Sequence, residues 1–350
     1  MDVLKVFGLA SFSFFIAIFL TPILTHYLFK YKLWPKRVER DALSGGKASV
    51  ISNLTKERSR LETPRMGGML IWSTALIVTI LFWLLGYFLD GPFLLKLNFL
   101  SREQTWLPLF ALVVASLIGL IDDWMQIKGV GRYVGGGLEL TMRIALVTLM
   151  GSVGAWWFYF PLEHSSIFIP FYGDLYLGFL FIPFFILTML AVFSSGVIDG
   201  LDGLAGGVLG SIIAAYAGIS FFQNQLNLAA FLAVIGGALL AFLWYNIPPA
   251  RFYMGESGIL GLTSVITVTA FLTNAVAVLP IIALPLVVET GSVIIQLISK
   301  KFRGQKVFIA APLHHHFEAM GWPHYKVTMR FWVVGIITAI VGMVLHLSGK

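Results

Sequence analysis

The chain has no cysteine. Disulfides, thiolate metal sites and cysteine nucleophiles are therefore excluded. It is also poor in charge: 12% of its 350 residues are charged, against 58% that are hydrophobic. No polar stretch is long enough to form a soluble domain, so residues 1–350 read as a single integral membrane domain. No internal repeat stands out. A formal charge of +7 in a chain with mean hydropathy +0.87 argues for basic loops facing an anionic leaflet, not for a nucleic-acid partner.

What is present is long apolar runs. A bilayer core needs about 20 apolar residues per helix. The runs predict an all-α, polytopic membrane protein of about ten helices, at 4–29, 67–89, 106–121, 137–158, 175–198, 203–222, 228–245, 257–274, 276–298 and 328–347. The first is expected to be a retained helix: it is too long for a cleaved leader, and no small-residue cleavage pattern follows it. The third is short and ends at an acidic pair. The ninth holds Pro280, Pro285 and Glu289 and should be broken.

Lys and Arg set an orientation. Residues 30–65 hold ten of the 24, and the loops after helices three, seven and nine hold nine more. The loops on the other side hold Lys96 and Arg102. The odd loops are therefore expected in the cytoplasm and both termini outside.

Five of the 17 acids fall in short breaks between apolar runs on that basic side, with almost no base beside them in sequence. They are Asp122-Asp123, then Asp199 and Asp202 within Asp199-Gly-Leu-Asp-Gly-Leu-Ala205, then Glu256 within Met254-Gly-Glu-Ser-Gly258. A carboxylate there is costly unless it pairs, binds a cation or faces water. Several at different helix ends suggest one Mg²⁺ site. Each has a plainer reading as a helix end, a cap or a dipole partner, but adjacent acids repel and favour a cation nearby. Asn246 and Tyr253 offer an amide and a ring suited to a planar base. His314-His315-His316 point apart on a helix, which disfavours one zinc and suits phosphate contacts or a loop anchor. Glu139 and Arg143, four apart, are expected to pair with each other.

These motifs resemble the polyprenyl-phosphate N-acetylhexosamine-1-phosphate transferases. Within them, Ala311-Pro-Leu-His-His-His-Phe-Glu318, Gly321-Trp-Pro323 and Arg330-Phe-Trp332 are similar to the phospho-N-acetylmuramoyl-pentapeptide transferases, over essentially the whole chain. The resemblance implies ten spans and Mg²⁺. It also implies transfer of phospho-MurNAc-pentapeptide from UDP-MurNAc-pentapeptide to undecaprenyl phosphate, giving lipid I and UMP at the cytoplasmic face of a bacterial inner membrane. It extends to contact with membrane lipids and a homodimer. On this reading Asp199 and Glu256 hold the metal, and Asp122 and Asp123 lie by the lipid phosphate or complete the metal shell. Asp202 serves the uridine or its loop, and Asn246, Tyr253 and Gly255 adjoin it. His315, with His314, His316, Ala311 and Gln296, lines the phosphate-sugar side. Lys128 and the basic first loop neutralise phosphates or acidic lipids.

The chain departs from the family pattern at several positions. Glu256 replaces an Asp, Gly196 an Asn, Ile259 a Ser, Arg65 a Thr, and Arg60 and Gln126 each a Lys. The rival readings are a sister transferase using another UDP-sugar, an ion-coupled transporter, and a homologue that binds without turnover.

Overall fold

The structure is a computed structural model that describes residues 2–34, 63–89, 91–130 and 137–350. Among the described residues eight helices are long and apolar enough to cross a membrane. They are α1 (Leu4–Lys30), α2 (Met69–Phe88), α4 (Trp106–Lys128), α5 (Leu140–Tyr159), α6 (Gly178–Ile198), α7 (Leu204–Phe222), α8 (Leu226–Asn246) and α13 (His324–Ser348). A broken pair, α10 (Val276–Ile282) and α11 (Leu284–Arg303), bends by 78°. The shorter apolar helix α9 covers Glu256–Leu272. These make ten apolar segments, in the order the hydrophobic runs predict. Two short helices, α3 (Pro92–Leu97) and α12 (Leu313–Ala319), lie in connections.

The break in the ninth segment falls at Ala283, where Pro285 opens the second half. Proline suits a first helical turn because its missing N–H would be unpaired there anyway. The third segment differs from expectation. It does not stop at the acidic pair but runs on through Trp124, Met125 and Ile127 to Lys128. Gly129, at φ 66°, closes it in the left-handed region. Asp122 and Asp123 are therefore helical and buried. A second difference is an antiparallel hairpin between α5 and α6, with β1 (Ser166–Ile169) pairing Ser166 to Tyr176 of β2 (Gly173–Tyr176). This delays α6 to Gly178.

Packing explains the composition. Every residue of α9 from Ser257 to Phe271 is buried, which accounts for its many Ser and Thr among aliphatics. It has 17 residues, so it spans only about 26 Å at 1.5 Å per residue, short of a core of about 30 Å. Its first residue, Glu256, is thereby recessed. Small residues let α4 and α9 nearly touch. A Cβ at Gly119 would lie 2.2 Å from the Glu256 carbonyl oxygen, and one at Gly261 2.1 Å from Ser116 Oγ. Close backbone approach of this kind is how helices associate in lipid, where burial of apolar area gives no drive. On α11 the pattern is inverted: Glu289, Ser292, Gln296 and Ser299 are buried, while Ile294, Ile295, Leu297, Ile298 and Phe302 are exposed. Its polar stripe faces the histidine segment and its apolar face lies outward.

Candidate active site

The acids converge on three residues, Gly255, Glu256 and Ser257. Asp123, fully buried, accepts the Glu256 and Ser257 N–H groups on its two carboxylate oxygens, each at 3.0 Å. It thus caps α9 from a neighbouring helix, satisfying N–H groups that a helix start leaves without partners. Asp199 accepts the Gly255 N–H at 3.1 Å. Gly255 has φ 71°, and a Cβ there would stand 2.5 Å from Asp123 Oδ2. The turn and the cap together require glycine.

Partial charge compensation comes from residues far away in sequence. Arg143 of α5 donates to Asp122 Oδ2 and to Glu256 Oε1, both at 2.9 Å, and to the Leu138 carbonyl. The expected Glu139–Arg143 pair is not formed. Glu139 precedes the first turn of α5 and is exposed, while Arg143 turns inward, where the uncompensated carboxylates are. Arg143 is the residue of this centre that sequence reasoning missed. Its signal was a lone cation inside an apolar helix, assigned to the wrong acid. Asp122 is further held by the Leu138 N–H and by the Gln126 amide, each at 2.6 Å. Arg65 donates to the Gln126 side-chain oxygen. The acids have almost no base beside them in sequence, but in space Arg143 of α5 and Arg65, in the segment before α2, stand among them. Burial pushes Asp199 up to about 6, and the nearby Arg65 charge opposes that rise.

The loop between α8 and α9 is clamped to the Asp-Gly segment. Asn246 is buried; its Oδ1 accepts the Gly203 N–H at 3.0 Å and its Nδ2 donates to the Phe252 carbonyl at 2.8 Å. Asp202 accepts the Ala250 N–H at 3.0 Å. The Tyr253 backbone pairs with Pro64 and Gly67. Asn246 therefore joins two loops rather than presenting a free amide.

The three histidines take separate partners. His314 is fully buried and its Nδ1 lies 2.8 Å from Glu289 of α11. Its Nε2 faces Gly200, where a Cβ would stand 2.3 Å away. His315 Nδ1 lies 2.6 Å from Glu318, which also contacts His324. His316 Nδ1 accepts the Ile309 N–H. Gln296 spends its amide on Val307 and Phe308, holding the strand of chain that leads to Ala311. His314 thus abuts the residue after Asp199. Lys128 is exposed, with its ammonium 4.9 Å from the Trp124 ring. Gly196 lies one turn before Asp199, facing Ile259. Arg60 lies outside the described residues.

The result is a buried cluster of carboxylates answered by arginines within a helical membrane bundle, in a chain whose relatives are transferases. Residues 105–274 match the glycosyl transferase family 4 model. The phospho-N-acetylmuramoyl-pentapeptide-transferase of Chloroflexus aggregans is 33% identical over 99% of this chain and 90% of its own length. That of Anoxybacillus flavithermus is 34% identical over 95% of each, and that of Ruegeria pomeroyi 33% identical over 81% and 80%. The chain belongs to the phospho-N-acetylmuramoyl-pentapeptide-transferase family.

Proposed function

We propose that this protein transfers phospho-MurNAc-pentapeptide from UDP-MurNAc-pentapeptide to undecaprenyl phosphate at the cytoplasmic face of a bacterial inner membrane. The products are lipid I and UMP. The observation that carries this reading is the convergence of Asp122 and Asp123 from within α4, Asp199 from the segment after α6 and Glu256 from the start of α9, on one centre that Arg143 and Arg65 only partly neutralise. Relatives named for such a transfer support it.

In this reaction an oxygen of the lipid phosphate forms a P–O bond to the sugar-linked phosphorus, and the bond from that phosphorus to UMP breaks. Anion meets anion, so the protein's task is mainly electrostatic. A phosphate monoester, with a second pKa of about 6, is already largely ionised near neutral pH, so no strong base is needed. The donor set fits Mg²⁺. Asp199 and Glu256 each spend one carboxylate oxygen on Gly255 or Arg143, and the second oxygen of each takes no hydrogen bond among the described residues. Mg²⁺ is commonly held by one or two carboxylates with phosphate oxygens and water. Among the described residues no three Asp, Glu, His or Cys side chains form a complete ligand cluster, so the remaining ligands would have to come from substrate and water. The cation would supply charge neutralisation at the pyrophosphate. Arg143 keeps Asp122 and Glu256 paired, Asp123 fixes the start of α9, and the Glu289–His314 contact sets the wall next to Asp199.

The test is purified protein with undecaprenyl phosphate, Mg²⁺ and UDP-MurNAc-pentapeptide, scored for UMP. UDP-GlcNAc in place of the donor should give none. UMP from neither donor would sink the reading, and UMP from UDP-GlcNAc alone would move it to the sister activity.

A further inference from the structure

A groove of about 420 Å³ lies beside the end of α1, walled by Pro22, Thr25, His26, Phe29 and Lys30 and by Arg251 from the loop between α8 and α9. None of the acids of the candidate active site lines it. Among the described residues its charged walls are of one sign: Lys30 and Arg251, with His26 between apolar neighbours and no carboxylate. The ion pairs among the described residues leave both Lys30 and Arg251 without an acidic partner, and both are exposed.

Its depth in the membrane follows from its neighbours. Lys30 ends the apolar span that begins at Leu4. Tyr27 and Tyr31 stack at 6.2 Å on the same turns and are largely exposed, as aromatic side chains are at headgroup level. Farther along α1, Phe19 and Ile23 point outward, 81% and 57% exposed, a surface for acyl chains. Cations at headgroup level above an apolar face match an amphiphile with an anionic head, and basic pockets between membrane helices take such heads.

We propose that this groove holds the headgroup phosphate of an anionic phospholipid, with Lys30 and Arg251 as its donors and the acyl chain along Phe19 and Ile23. The site is independent of the transfer reaction, yet it touches the same loop. The neighbouring Ala250 N–H is bound by Asp202, and Gly255 of the same loop by Asp199. A lipid seated on Arg251 therefore ties that loop to α1.

The experiment is native mass spectrometry of the full chain in detergent, titrated with phosphatidylglycerol, phosphatidylcholine or inorganic phosphate. It reads binding and not turnover, so its outcome is separate from that of the UMP assay. Phosphatidylglycerol should be retained in preference to phosphatidylcholine, and inorganic phosphate should not displace it at comparable concentration. Removing two cations, in Lys30→Gln with Arg251→Gln, should weaken phosphatidylglycerol roughly 30-fold, from about 1 kcal/mol for each basic residue. Lys30→Arg with Arg251→Lys should retain it. Equal binding by wild type and the Gln pair, equal binding of both lipids, or displacement by inorganic phosphate would each overturn the proposal.

Discussion

Replacing Arg143 by Gln removes one side chain that serves two acids. Both contacts are 2.9 Å, and the side chains are 12% exposed for Arg143, 1% for Asp122 and 24% for Glu256. Deleting one partner of a buried pair costs about 3–5 kcal/mol, because the other charge is left buried. Asp122 keeps its bonds from Leu138 and Gln126 and Glu256 partly meets water, so about 3 kcal/mol is the expected loss. Asp122→Asn added to Arg143→Gln removes the stranded charge. The double variant should therefore be more stable than the sum of the single losses predicts, by about 1–3 kcal/mol. Arg143→Lys keeps a charge but lacks the planar fork that spans two carboxylates, and should fall between. UMP release should drop at least about 100-fold in Arg143→Gln, the scale seen when one electrostatic donor is deleted from a reaction centre. Stability is read by equilibrium unfolding in mixed micelles. Arg143→Gln within about 0.5 kcal/mol of wild type, additive with Asp122→Asn, would refute the idea that this guanidinium holds the centre together.

The other predictions concern the same centre and its placement. Glu256→Gln should abolish UMP release while leaving the unfolding midpoint near wild type, and Glu256→Asp should retain turnover; an active Glu256→Gln would make this acid a helix-end residue only. Gly255→Ala should cost about 1–3 kcal/mol from forced positive φ, with a further penalty from the Asp123 contact, and should lower turnover. It is checked by unfolding, and a neutral result would mean that Asp123 does not cap α9 as described. A topology reporter fused after Lys350 should read as external and one inserted near Lys47 as cytoplasmic; the reverse pattern would place the acids on the wrong face for a cytosolic nucleotide.

The helical segments were legible because a bilayer leaves few options. Backbone groups in lipid must be satisfied within a segment, so each apolar run long enough to span becomes a helix, and Pro280 with Pro285 marks where one breaks. What escaped was local. The Asp122-Asp123 pair looked like a helix end because charge normally meets water. Here the helix carries both acids into a protein interior that answers them with Arg143 and the α9 N–H groups, so nothing forces the chain to stop. The hairpin Ser166–Tyr176 escaped because it is short and lies between two apolar runs that claim its flanks.

The acids themselves were legible, since each is an expensive residue in an apolar chain. Their partners were not, because partnership is a property of packing. The departures from the family pattern show this most clearly. Arg65 and Gln126 read as two separate changes, 61 residues apart, yet Arg65 donates to Gln126, which in turn donates to Asp122. A lysine at 126 would set a second cation against Arg65; with Gln there, one cation still serves this side of the cluster, delivered from the segment before α2. Gly196 and Ile259 read as a lost amide and a lost hydroxyl. In the structure a Cβ at Gly196 would stand 2.7 Å from Ile259 Cγ2. The isoleucine crowds the space a side chain at 196 would need, so an asparagine there requires something smaller at 259. Four changes in a linear sequence thus reduce to two exchanges in space. One moves a charge and the other trades polar groups for packing, and neither alters the acids they flank.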